Sequence, residues 1–277
     1  MKRYRELMNS AKKILEQNKI ADADVDAWYL LAYVTGFDRV SYLMHAEEFA
    51  PEPVQLKYMD YIHKRATHVP LQHITGTQEF MGLEFHVTED VLIPRQDTEC
   101  LVEEVLKVCN NKSVLDMCTG SGCIIISLAK LGNLTKAVGV DISDPALNIA
   151  KKNALTHGVD VTWLQSDLFE KVEGSFDIIV SNPPYIPTQM IEQLMPEVQY
   201  HEPRTALDGS EDGLIFYRKI TWAMLNHLNK GGYIFYEIGH DQGKQVREIL
   251  SGAGLCDIRV IKDLSGNDRI VVGKRPI

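Results

Sequence analysis

One stretch of the sequence combines the residue types needed to hold a flat amino group. Asn182, Pro183, Pro184 and Tyr185 follow the apolar run 176–180 after a single serine. Both prolines fix φ near −65°, so the carbonyls of Asn182 and Pro183 point in directions set in advance. An amide oxygen and a rigid carbonyl accept N–H groups, and an aromatic ring covers a planar one. The pattern favours a socket for a planar –NH₂ group, with a plain strand and proline turn as the alternative.

A glycine-rich loop earlier in the chain points to a nucleoside-containing ligand. The apolar run 113–117 predicts a strand, residues 118–122 a tight loop, and 123–130 a buried helix. The loop consists of Cys118, Thr119, Gly120, Ser121 and Gly122. A second strand over 136–140 ends in Asp141, and an acidic residue there can accept hydrogen bonds from both hydroxyls of a ribose.

The spacing of this loop favours S-adenosylmethionine over a dinucleotide. Ile125 occupies the position where a dinucleotide fingerprint requires its third glycine. A cofactor without phosphate needs less of the helix N-terminus, and Asp116 at the first strand's end suits a cationic amino-acid group. We expect the adenine ring near Leu168, after a third strand over 161–165. A purely structural glycine turn is the alternative.

The order of predicted elements indicates an α/β fold with a doubly wound sheet. Strands and helices alternate from residue 113, and four strand ends converge on one rim, where open α/β sheets bind ligands. Asp144 is predicted to cap the N-terminus of the helix that follows Asp141. Asp97 or Thr98 is predicted to cap the N-terminus of the helix over 99–108. A strand over 233–238 and an antiparallel hairpin near 257–272 complete the sheet. Arg95, a lone cation at a turn, is either a surface residue or a ligand contact.

The chain divides into three predicted parts. Apolar residues at helical spacing over 1–75 predict a small helical bundle, and residues 76–92 a connecting β-hairpin. Residues 93–277 form the α/β domain. We expect the bundle to take part in substrate recognition, although it could also simply cap the larger domain.

Composition excludes several classes of protein. The 277 residues carry a net charge of −9, which argues against broad binding of nucleic-acid phosphates. Five cysteines without zinc spacing indicate reduced thiols and no structural metal. No signal peptide or membrane-length apolar run is present, so a cytoplasmic protein is expected.

Taken together, these motifs resemble the class I S-adenosylmethionine-dependent methyltransferases, and more narrowly the release factor glutamine N5-methyltransferase family (PrmC/HemK type). The resemblance covers nearly the whole chain. Besides the loops above, it includes Thr75-Gly76, Phe80, 93–95, 98–99, 166–167, 202–203, 206–207, 212–214, 217–218, 237–239, 263–264 and 266–269. The chain departs from the family at Cys118, where glycine is common, at Gln96-Asp97, where Pro-Glu is usual, and at Leu168, often aromatic.

The resemblance implies a Rossmann-like domain, a mostly parallel seven-stranded sheet with a terminal antiparallel hairpin, behind a helical N-terminal domain. The implied substrate is the glutamine of the Gly-Gly-Gln loop in class 1 peptide chain release factors, methylated on its amide nitrogen, with S-adenosylhomocysteine as product. Asn182, Pro183 and Tyr185 would be catalytic, with Pro184 also contacting substrate. The cofactor would contact residues 118–122, Asp141, Leu168 and Asn182, with no metal, membrane or direct nucleic-acid partner.

Three other functions are compatible with parts of the pattern. Asn-Pro-Pro-Tyr alone also occurs in enzymes that methylate the amino groups of adenine or cytosine, which would flip a base into the same socket. A cofactor-sensing protein without catalysis and a dinucleotide oxidoreductase are the others. The acidic charge balance counts against a nucleic-acid methyltransferase, and the intact socket counts against a sensor without catalysis. Ile125 counts against a dinucleotide oxidoreductase.

Overall fold

A computed structural model describes residues 1–277, which form two compact units. The N-terminal unit comprises Met1–Gly76 together with Met195–His201, and the larger unit comprises Thr77–Leu194 and Glu202–Ile277. The short segment 195–201 therefore groups with a unit that is distant in sequence. No helix is both long enough and apolar enough to cross a membrane.

The elements follow one another in a mixed order. The helices are α1 Tyr4–Gln17, α2 Ala23–Thr35, α3 Arg39–His45, α4 Glu52–Ala66, α5 Leu71–Thr75, α6 Gln96–Leu106, α7 Cys123–Leu131, α8 Asp144–His157, α9 Pro196–His201, α10 Arg204–Leu207, α11 Ile215–Met224 and α12 Gly243–Gly252. The strands are β1 Thr77–Phe80, β2 Leu83–His86, β3 Lys112–Met117, β4 Leu134–Asp141, β5 Thr162–Gln165, β6 Phe176–Ser181, β7 Leu228–Glu237, β8 Cys256–Lys262 and β9 Asp268–Lys274. A 3₁₀ helix spans Thr188–Gln193.

The N-terminal unit is a helical bundle around one apolar core. Leu7, Ala11 and Leu15 of α1 pack with residues of α2 and α4, and Tyr58 donates a hydrogen bond to the Ala27 carbonyl at 2.8 Å. The buried Arg65 guanidinium bonds Asp26 at 2.7 Å and Glu197 of α9 at 2.9 Å. Through Glu197, the inserted segment is thus tied to the bundle by a charge-assisted hydrogen bond.

The larger unit is built on a seven-stranded sheet in the order β5-β4-β3-β6-β7-β9-β8. The first five of these strands are parallel, whereas β9 runs antiparallel to both β7 and β8. The apolar strands β3 and β6 are central and buried, because helices cover both faces of the sheet. The predicted α/β fold, with its parallel sheet and closing hairpin, is confirmed. Strand order reverses between β3 and β6, so a crevice is expected at their carboxyl ends.

Two predicted helix caps are wrong. Helix α8 is capped by Ser143, whose hydroxyl accepts from the Ala146 N–H, and Asp144 is already the first helical residue. Helix α6 begins at Gln96, with extended Arg95 before it and no side-chain cap. Thr98 therefore lies within the first turn, and its side chain is buried for another reason, described below.

Candidate active site

A cavity of about 670 Å³ opens at the carboxyl ends of the central strands. Its wall contains most of the predicted site residues, namely Cys118, Thr119, Gly120, Ser121, Asp141, Leu168, Asn182 and Pro184. Gly122, Pro183 and Tyr185 lie outside the wall. The glycine loop and the socket residue Asn182, far apart in sequence, therefore face the same cavity.

The glycine loop is held in shape by the carboxylate at the end of β4. Asp141 accepts from the Gly120 N–H at 2.8 Å and from the Ser143 N–H at 2.9 Å. Gly120 has φ +54°, and a Cβ added there would meet no atom within 4 Å. The loop backbone is thus exposed to the cavity, and a ligand can approach it closely.

Gly122 has a packing function in this structure. It has φ +80° and immediately precedes α7, and an added Cβ would lie 2.8 Å from Ile126 and 3.0 Å from Trp163. Gly139 on β4 is even closer to the same indole, because a Cβ there would lie 2.4 Å from Trp163. These two glycines allow α7 and β4 to pack tightly behind the loop.

Asp116 lies beneath the loop and is not part of the cavity wall. Thr119 donates a hydrogen bond to its Oδ2 at 2.5 Å, whereas Oδ1 has no hydrogen-bond partner in the protein. Burial raises the pKa of this carboxyl to about 7. A direct ion pair with a cationic ligand, which the sequence suggested for Asp116, is not what this geometry favours.

Asp141 carries the other carboxyl of the site. Burial raises its pKa, and the N–H groups of Ser143 and Gly120 oppose that rise by stabilising the charged form. Each carboxylate oxygen accepts one backbone N–H and keeps a further lone pair. Because Asp141 lines the cavity, those lone pairs are available to ligand hydroxyls.

The Asn-Pro-Pro-Tyr segment is braced from behind by the loop 207–213. The Ile186 N–H donates to the Leu207 carbonyl at 3.0 Å, and the Gly209 N–H donates back to the Ile186 carbonyl at 2.8 Å. Gln242 donates to the Tyr185 carbonyl at 3.0 Å. Gly213 packs so closely that an added Cβ would lie 2.3 Å from the Tyr185 oxygen. The segment is therefore fixed by tertiary contacts as well as by its prolines.

Tyr185 is half-buried and lies behind the cavity wall rather than in it. Burial raises the pKa of its phenol above the ordinary value. Cys118 shows the same effect: burial and the neighbouring carboxylates of Asp141 and Asp116 raise the pKa of its thiol. A protonated thiol is a poor nucleophile, so thiolate chemistry at the loop is disfavoured.

Sequence reasoning missed three charged or polar contacts near the cavity. Arg95 is not a lone cation, because it donates to both oxygens of the buried Glu202 at 2.6 and 2.7 Å. Thr98 is buried and lies 3.5 Å from Asn182 Nδ2. Glu237, at the end of β7, is buried, and its Oε2 has no hydrogen-bond partner. Glu202 and Glu237 did appear among the residues of the family resemblance, which is the one sequence signal for them.

Residue types in the wall suit a hydrogen-bonding ligand with apolar parts. Carboxylate and backbone groups converge with aliphatic side chains such as Leu168 and Ile142. No cluster of three or more His, Cys, Asp or Glu side chains has the arrangement of a metal site.

Comparison with known proteins places the chain in a family. Residues 6–76 match the PrmC N-terminal domain and residues 96–200 the methyltransferase small domain. The release factor glutamine methyltransferase of Geobacter sulfurreducens is 42% identical over 273 residues, covering 98% of this chain and 96% of that protein. The chain belongs to the release factor glutamine methyltransferase family. The protein of the same name from Clostridium acetobutylicum is 44% identical over 259 residues, with 90% of each chain covered.

The fold is also that of solved methyltransferases. A methyltransferase from Pyrococcus furiosus superposes with a TM-score of 0.55 at 18% identity, over 72% of this chain and 91% of that one. Membership in the release factor glutamine methyltransferase family identifies the protein as a methyltransferase enzyme, and the cavity described above is its candidate active site.

Proposed function

We propose that this protein transfers a methyl group from S-adenosylmethionine to the side-chain amide nitrogen of glutamine in the Gly-Gly-Gln loop of class 1 peptide chain release factors. The names of its relatives support the release factor as substrate. One observation carries the assignment to this site: Asn182 lies in the wall of the same cavity as Asp141 and the glycine loop.

The cavity wall fits the cofactor. Asp141 has lone pairs that would accept from the two ribose hydroxyls, the exposed backbone at Gly120 would admit the amino-acid portion, and Leu168 would give the adenine an aliphatic contact. S-adenosylmethionine supplies, when bound, a methyl group on an electron-poor sulfonium sulfur.

Residues of the socket would hold the acceptor. An amide nitrogen is a weak nucleophile because its lone pair is delocalised into the carbonyl, so it must be positioned. The Asn182 side-chain oxygen, at the cavity wall, would accept one of its N–H groups. The Pro183 carbonyl and the Tyr185 ring lie outside that wall, so the substrate amide would have to reach past it to donate its second N–H group and to pack against the ring. Both acceptors bind the N–H groups more strongly as the nitrogen becomes positive, so no strong base is required. Alignment of this kind can lower a barrier by up to ~7–11 kcal/mol.

The N-terminal unit would recognise the release factor. Several apolar side chains of α2 and α3 are exposed there, including Tyr29, Tyr33, Leu43 and Met44. These exposed apolar side chains offer contact area for a protein partner. Because its substrate acts in translation, the enzyme would work in the cytoplasm.

Labelled cofactor tests the proposal against its main rival. The purified protein is incubated with S-adenosylmethionine carrying a labelled methyl group and with a class 1 release factor, duplex DNA or ribosomal RNA in parallel. Label in the release factor is the expected result. Label only in nucleic acid would assign the socket to a base amino group, and label in none would refute methyl transfer to either class.

A further inference from the structure

Two elements, α6 and β7, place polar side chains behind Asn182. Its Nδ2 lies 3.5 Å from Oγ1 of Thr98, which belongs to the first turn of α6. Thr98 also acts on the carboxyl of Glu237 at the end of β7: hydrogen bonding from its side chain lowers the pKa of that carboxyl, against the larger rise caused by burial. Both residues are 2% exposed, so neither group can exchange its partner for bulk water. A chain of hydrogen bonds therefore runs from Glu237 through Thr98 to the socket amide.

The direction of these hydrogen bonds decides which end of the Asn182 amide faces the acceptor. An asparagine amide has a donor end and an acceptor end of nearly equal size, so its orientation depends on its neighbours. A carboxylate can only accept, so the Thr98 hydroxyl must give its proton to Glu237. The hydroxyl lone pairs then accept from Asn182 Nδ2, which leaves Oδ1 for a substrate –NH₂ group.

We propose that Thr98 and Glu237 are positioning residues that fix the Asn182 amide with its carbonyl oxygen towards the acceptor amine. This inference rests on the proposed function, because only an amine-bearing substrate requires the acceptor end of the amide.

Protonation of Glu237 would reverse the direction of the hydrogen bonds that link it through Thr98 to Asn182. A neutral carboxyl can donate to Thr98, whose own proton would then go to Asn182 Oδ1 and turn the amide round. Burial raises the pKa of Glu237 to about 7, and its Oε2 has no competing hydrogen-bond partner. Several titratable groups interact electrostatically with Glu237. They are Arg95 just before α6, Asp97 in α6, Cys123 in α7, Tyr185, Tyr217 in α11 and Arg269 in β9. Turnover is thus expected to fall as pH drops through about 7.

A pair of variants separates the hydroxyl from the volume of the side chain. Thr98→Val keeps the shape and removes the hydroxyl, whereas Thr98→Ser keeps the hydroxyl. The valine variant should lose about 10- to 100-fold in kcat on a release factor, the range typical of lost supporting hydrogen bonds. The serine variant should stay within about threefold of wild type, and calorimetry should give all three proteins the same cofactor Kd. Wild-type kcat in Thr98→Val, or equal losses in both variants, would overturn the inference.

A second measurement works even without turnover or if Thr98→Val fails to fold. The side-chain amide signals of Asn182, followed by NMR in the wild-type protein, should shift as pH passes through about 7 and should not shift in Glu237→Gln. Side-chain amide signals of Asn182 that do not shift with pH in the wild type would refute the positioning role of Thr98 and Glu237. Absence of release-factor methylation with a normal amide titration would instead refute the proposed function and leave the positioning chain supported.

Discussion

Replacing Asn182 by alanine removes the side-chain acceptor of the socket while sparing the rest of the cavity. The cofactor contacts proposed for Asp141 and Gly120 are made by other elements, and the Pro183 carbonyl belongs to the backbone. The half-buried Asn182 side chain makes one long hydrogen bond, at 3.5 Å to Thr98. Its loss should therefore cost no more than about 1 kcal/mol of unfolding free energy.

The catalytic loss should be much larger than the loss of stability. Removing one hydrogen-bonding group that acts on charge developing in the transition state typically lowers kcat by ~10²–10³, or about 3–4 kcal/mol. We expect Asn182→Ala to lose that much on a release factor while its cofactor Kd changes by less than about threefold. We expect this difference because the lost group would act mainly on the acceptor amine, whereas the proposed ribose and amino-acid contacts of the cofactor belong to other residues.

Single-turnover transfer of a labelled methyl group, calorimetry with S-adenosylmethionine and thermal melting measure the three quantities. The matched control is Asn148→Ala at an exposed position of α8, which removes the same side chain and one hydrogen bond to Asp144. The control should retain wild-type kcat, Kd and melting temperature. A kcat for Asn182→Ala within threefold of the control would refute the acceptor role, whatever the effect on stability.

Three further predictions address the loop, the buried carboxyl and the brace. Asp141→Ala should weaken cofactor binding by at least tenfold in calorimetry, because ribose acceptors and the Gly120 anchor are lost together; unchanged affinity would contradict the ribose assignment. Asp116, with its folded pKa raised from 3.8 to about 7, stabilises the fold fully below about pH 4, and this contribution disappears as pH rises through 7. Urea unfolding measures the effect. The stability that the wild type gains between pH 7 and pH 4 should exceed the gain of Asp116→Asn by roughly 3 kcal/mol, and parallel pH profiles of the two proteins would show that Asp116 is not the cause. Gly213→Ala should destabilise the protein by about 2 kcal/mol more than the control Gly174→Ala. Both glycines have positive φ, but only the Cβ added at Gly213 clashes, at 2.3 Å from the Tyr185 oxygen. Equal melting temperatures of the two variants would refute the bracing role of Gly213.

The features that the sequence predicted correctly are those set by local pattern. Apolar runs bounded by glycine or proline locate the central strands, and the spacing of Gly120 and Gly122 locates the loop between β3 and α7. Parallel strands with helical crossovers then bring strand ends to one edge, so the meeting of Asp141 and Asn182 at one cavity follows from topology.

The features that it missed depend on partners distant in sequence. Arg95 and Glu202 are 107 residues apart, and nothing around either residue signals their ion pair. Thr98 looks like a helix cap because hydroxyls usually cap helices, but tertiary contacts bury it instead. The grouping of segment 195–201 with the N-terminal unit likewise depends on Glu197 meeting Arg65, a contact that no periodicity reveals.

The most direct test of the central claim is mass spectrometry of a class 1 release factor after incubation with this protein and S-adenosylmethionine. The account predicts one added methyl group, located by fragmentation on the side chain of the Gly-Gly-Gln glutamine, and none with Asn182→Ala. A methyl group on any other residue, or an unmodified loop after incubation with folded, cofactor-binding protein, would contradict it.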